Sequence, residues 1–100
     1  MGGVPLGRIS YYDIGVQFHR SAFKHDFDTT AILHALEHAI VFVDLDHDSD
    51  PPKMLAIGPD PAGNLLEVIW VQLEEEDLVI HAMALRPVFY DLLPQGDDDL

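Results

Sequence analysis

LLEVIWVQLEEEDLVIHAMA, residues 65–84, decides how this chain is read. Two runs rich in Val, Ile and Leu are separated by four consecutive acids, which is the pattern of two strands joined by a short polar turn. The first run, LLEVIWVQL (65–73), is apolar on both faces, with Leu66, Val68 and Trp70 on one side and Ile69, Val71 and Leu73 on the other. A strand of that kind sits inside a sheet that is covered on both sides. Helices on one face would leave the second to be covered by a partner.

Upstream, KMLAIG (53–58) reads as a strand that turns through PDPAGN (59–64) into the first run, since proline and glycine supply the turn. IVFVDLD (40–46) is β-branched and aromatic and reads as a further strand, ending near Leu45. These strands make an antiparallel meander of three to four members.

TTAILHALEHAI, from Thr29, changes period. Ile32, Ala35, Leu36, Ala39 and Ile40 recur at helical spacing, with Asp28 as N-cap and Phe27 as the apolar staple residue before it. HRSAFKHD (19–26) is helix-compatible and predicts a shorter helix ahead of it. RISYYDIGVQF (8–18) is rich in β-formers but broken by Asp13 and Gly15, so residues 1–15 read as a first strand or arm. RPVFYDLL (86–93), with Pro87 in the first turn, predicts a short C-terminal helix, and residues 95–100 a disordered acidic tail. The expected fold class is α+β: one domain over residues 1–94, with two N-terminal helices packed on the meander.

Length and charge narrow the function. One hundred residues make a single domain. The 18 acids against five Lys and Arg, a net charge of −13, disfavour a general nucleic-acid binder. Eleven of those acids lie in three clusters, at residues 44–50, 74–77 and 97–99, so most of the negative field belongs to loops and the tail. HRSAFKH (19–25) is the one basic concentration, with Arg20 and Lys24 a turn apart between His19 and His25. Cysteine is absent, which removes disulfides and thiolate chemistry. The N-terminus lacks the pattern of a signal peptide, and no apolar run approaches the roughly 20 residues of a membrane span. A cytoplasmic protein without membrane contact is the expectation.

HALEH (34–38) spells the inverted zinc-protease motif, two histidines with a glutamate between them. That chemistry needs a third ligand and a substrate cleft, and His34, Glu37 and His38 fall on the face opposite the apolar stripe, where polar residues are expected anyway. DLDHDSD (44–50) imitates the start of a calcium loop, but Ser49 occupies the glycine position and Leu55 the place of the bidentate glutamate. No metal or other cofactor is therefore expected. His81, mid-strand in LVIHAMA, has Arg86 and Tyr90 close behind it, and His, Arg and Tyr together can perform acid–base work on a phosphodiester.

AFKHDFDTTAILHAL (22–36), KMLAIGPDPAGNLLEVIWVQL (53–73) and LVIHAMA (78–84) together resemble the BrnT-type toxins of bacterial toxin–antitoxin pairs, which are small RelE-like ribonucleases. The resemblance spans about residues 18–93. Lys24 and His25 match the family's Lys-His pair, Ile57 and Gly58 the turn entry, and Gly63 the loop glycine. Where the family has Ser-Ala-Arg, this chain has His81, Ala82 and Met83, so Arg86 would have to replace the missing arginine. The family's basic C-terminal helix is also replaced, by VFYDLLPQGDDDL. The resemblance implies a RelE-like fold, a small antitoxin as partner and RNA as substrate, with homo-oligomers compatible. With the residues read above, it suggests Lys24, His25, His81, Arg86 and Tyr90 as catalytic, Lys24 and His25 from the family match and the other three from their own chemistry, and Arg20 and Lys24 of the basic cluster as RNA-binding. From a different class comes the alternative of a non-catalytic module whose acidic surface holds a basic protein.

Overall fold

The computed structural model describes residues 16–46 and 48–94. The expectations for residues 1–15 and for the tail at 95–100 lie outside them. Five strands form one sheet: β1 (Val16–Phe18), β2 (Val41–Asp46), β3 (Lys53–Pro59), β4 (Leu65–Gln72) and β5 (Asp77–Ala84), in the order β1-β5-β4-β3-β2. β2 to β5 run antiparallel as successive hairpins, while β1 pairs with β5 in parallel. From β1 the chain crosses one face of the sheet as α1 (Thr29–Glu37), enters the far edge as β2, and winds back until β5 lies beside β1.

This corrects the expected architecture of two helices on a meander of three to four strands. The sheet is mixed and five-stranded, and α1 is the single α-helix among the described residues. Residues 19–26 do not form a helix of their own. They hold only a 3-10 turn, Arg20–Phe23, fastened to β5 by the Ser21 hydroxyl donating to the Ile80 carbonyl at 2.6 Å and the His19 N–H donating to the Val79 carbonyl at 2.9 Å. Asp26, at φ 72°, then stops any helical continuation. So short a segment gains too few helical hydrogen bonds to offset nucleation, and its anchoring to the strand decides its shape. The expected C-terminal helix is likewise a 3-10 turn, Pro87–Leu92, with no buried residue to hold an α-helix in place.

α1 forms where the sequence period placed it because Asp28 caps it: its Oδ1 accepts the Ala31 N–H at 2.9 Å. Ile32, Leu33, Ala35 and Leu36 are its buried side, packed with Leu66, Val68, Trp70, Val79 and Ala82 of the sheet. Gly58 permits the close approach. A Cβ there would stand 2.0 Å from the Ala35 carbonyl oxygen and 2.9 Å from the Ala39 Cα.

A bulge between β4 and β5 sets which β5 side chains face α1. Ile69 pairs with His81 and Trp70 with Val79, so Ile80 is the extra residue. Strict alternation would put Val79 and His81 on one face; the extra residue sends Val79 into the helix-side core and His81 to the opposite face. The freed Ile80 carbonyl is the one that Ser21 occupies. On that opposite face Leu55 and Ile57 are fully buried, so it is not the open sheet face that one-sided helix cover implied.

Gly58→Ala is expected to destabilise the protein by about 3 kcal/mol, because the obstructing atoms are backbone. Gly63→Ala, at φ 92° but in open space, is expected to cost about 1 kcal/mol. Urea denaturation midpoints check the ordering.

Candidate functional site

Glu67 lies in the middle of β4, on the face opposite α1, and its side chain is completely buried. Its carboxylate accepts four hydrogen bonds: the Arg86 N–H at 2.9 Å on Oε1, and Arg86 Nε at 2.9 Å, Arg86 Nη2 at 2.6 Å and His81 Nε2 at 2.8 Å on Oε2. Arg86 reaches it from just beyond the end of β5, with its side chain 46 % exposed and its guanidinium carbon 5.6 Å from the Phe89 ring centre. His81 is 23 % exposed, and its ring meets that of His25 edge to face, with centres 5.7 Å apart.

Burial alone would push the Glu67 pKa up. The hydrogen bonds from the Arg86 side chain, from His81 and from the Arg86 backbone, with the Arg86 charge, outweigh it and hold the carboxyl below its ordinary range. Glu67 in turn pushes the Arg86 guanidinium up. An ionised carboxylate only accepts, so His81 Nε2 must donate to it. In neutral His81 the lone pair is then on Nδ1, which has no hydrogen-bond partner among the described residues. That is the tautomer of a proton acceptor held in orientation by a carboxylate.

The residues singled out in the sequence separate into three places. His81 and Arg86 converge on Glu67, and His25 meets the His81 ring. Arg20 and Lys24 are exposed on and just after the 3-10 turn packed against β5, on the segment that carries His25. Tyr90 is elsewhere, 52 % exposed over a groove lined by Leu65, Ala84 and Leu85. Met83 stands directly opposite Glu67 across the β4–β5 ladder. Glu67 itself is what the sequence reading passed over. Its signal was a lone carboxylate in the most apolar strand of the chain, which must be paired if it is buried.

Of the polar HALEH residues, Glu37 and His38 are exposed as a solvent-facing stripe requires, and only His34 turns partly inward. His34 is half-buried with Nδ1 2.7 Å from the Pro59 carbonyl oxygen, His38 is the residue that ends α1, and the two rings lie tilted at 32° with centres 4.2 Å apart. Among the described residues no three His, Cys, Asp or Glu side chains gather as metal ligands, and no helix is long and apolar enough to cross a membrane. The chain matches no family profile, no curated protein and no solved structure.

Arg86→Met is expected to destabilise by about 2–3 kcal/mol, since it leaves a buried carboxylate without two of its four donors while the backbone N–H remains. The double variant Glu67→Met, Arg86→Met is expected to recover most of that loss; equal losses in the two would disprove the pairing as the cause. The unfolded chain binds the Glu67 proton more tightly than the folded one. Its contribution is therefore complete above the ordinary carboxyl value of 4.5 and fades as pH falls through the lowered folded value. Glu67→Gln should remove that part of the acid slope in denaturation curves recorded below pH 4.5.

Proposed function

We propose that the protein cleaves RNA by acid–base catalysis, as the toxin-like member of a type II toxin–antitoxin pair acting in the cytoplasm and neutralised by a small antitoxin. The observation that carries this reading is the contact of His25 with His81 while Glu67 fixes the His81 tautomer and Arg86 shares the same Glu67 oxygen with His81. Two adjacent imidazoles can serve as base and acid, and a guanidinium can meet the phosphate.

In this reading His81 Nδ1 takes the proton of a ribose 2′-hydroxyl. The oxygen attacks phosphorus, the bond from phosphorus to the 5′-oxygen breaks, and protonated His25 gives its proton to the leaving oxygen. The products are a 2′,3′-cyclic phosphate and a 5′-hydroxyl. Arg86 keeps unused N–H groups for the phosphoryl oxygens, since Nε and one N–H of Nη2 are given to Glu67. Lys24 and Arg20 add positive charge on the same segment as His25, which favours an RNA approach on this side of an otherwise acidic chain.

A second reading, the non-catalytic module, is favoured by β2. This strand is an edge of the sheet and exposes Phe42, Asp44, Leu45 and Asp46, an acidic border to which a basic extended segment could add. Single-stranded RNA oligonucleotides distinguish the two. Cleavage leaving 2′,3′-cyclic ends, slowed at least about a hundredfold by His81→Ala, is the expected result. Intact RNA, together with salt-sensitive capture of a basic protein, would transfer the assignment to the second reading.

A further inference from the structure

On the α1 side of the sheet, away from Glu67, a partly open cavity of about 40 Å³ is lined by Val16, Leu36, Phe42, Trp70, Asp77 and Val79. Three features of its walls have no purpose in the core. Phe42 is 55 % exposed, although its ring meets that of Trp70 edge to face at 5.9 Å. Asp77 is half-buried and its carboxylate has no hydrogen-bond or ion-pair partner among the described residues. The space itself lies between them, in a core where the other large side chains pack against one another.

Two aromatic rings, an apolar floor and an unpaired carboxylate are the parts of a site for an organic cation. The rings attract positive charge, the floor takes an alkyl chain, and the carboxylate supplies the counter-charge. Glu74, Glu75 and Glu76 immediately precede Asp77, and the chain's net charge is −13, so the surrounding field concentrates cations and repels anions. Burial raises the Asp77 pKa with nothing to offset it, as expected for a carboxylate whose counter-charge has yet to arrive.

We propose that the pocket between Phe42, Trp70 and Asp77 binds a primary alkylammonium group, either a free amine or the lysine side chain of a partner protein. This goes beyond the RNA-cleavage reading and does not depend on it, because His25, His81 and Arg86 converge on the other face of the sheet. Trp70 is the chain's single tryptophan, so its fluorescence reports on this pocket alone.

The test is a fluorescence titration of the full chain with n-butylammonium, with sodium chloride matching ionic strength and n-butanol as the neutral control. The expected result is a saturable change with butylammonium, at least about tenfold weaker binding of butanol, and at least about tenfold weaker butylammonium binding by Asp77→Asn and by Phe42→Leu. Phe42 is half-exposed, so that second variant retains the core even if the first perturbs the fold. Tighter binding of Nα-acetyl-lysine amide than of butylammonium identifies a protein side chain as the source; weaker binding identifies a free amine. Equal binding of butanol and butylammonium, no saturation, or unchanged affinity in both variants would overturn the proposal.

Discussion

The sheet holds a fully buried carboxylate at its centre, and the region around it is arranged to keep that charge paired. Glu67 has Ile57 on one side of its ladder and Met83 on the other, neither of which can donate to it. The donors must come from His81, two pairs away along β5 on the same face, and from Arg86, beyond the strand's end. Because two guanidinium donors on Oε2 and a backbone N–H on Oε1 all come from Arg86, the exit of the chain from β5 is fixed by the same carboxylate that fixes the His81 ring. Neutralising this site would loosen the β5 terminus and the imidazole together.

The β4–β5 bulge is the second constraint, and it explains why the pairing is possible at all. With unbroken alternation His81 would point at α1 and into an apolar core, while Glu67 stayed on the other face. One extra residue at Ile80 puts the imidazole on the side of the carboxylate and leaves Val79 with Trp70 in the core. The exposed carbonyl is then satisfied by Ser21, which holds the segment carrying His25 against β5. A single backbone irregularity thus recruits both histidines.

What was legible in the sequence follows from these two constraints. Local signals worked where local physics decides. Asp28 caps α1, and Leu65–Gln72 and Asp77–Ala84 lie close to the spans that hydrophobic periodicity marked. The arrangement of elements was not legible. The parallel pairing of β1 with β5 joins residues about sixty positions apart in the chain, and the first helix-compatible segment became a 3-10 turn because of its anchoring to Val79 and Ile80. The site was half legible. Residue type alone singled out His25, His81 and Arg86, but a bulge leaves no mark in a run such as LVIHAMA. Without it, the role of Glu67 could not be placed.

The two faces of the sheet therefore carry opposite electrostatic problems with opposite solutions. On one, a buried carboxylate is satisfied within the chain by an arginine and a histidine, and its pKa falls. On the other, Asp77 is desolvated beside two aromatic rings without such a donor, and its pKa rises. A carboxylate, in neighbouring strands of one sheet, is held charged where the counter-charge is built in and is left desolvated where none is supplied. That contrast is where the two proposals start: the internal ion pair fixes the geometry on which the proposed chemistry rests, and the unpaired carboxylate marks the proposed ligand site.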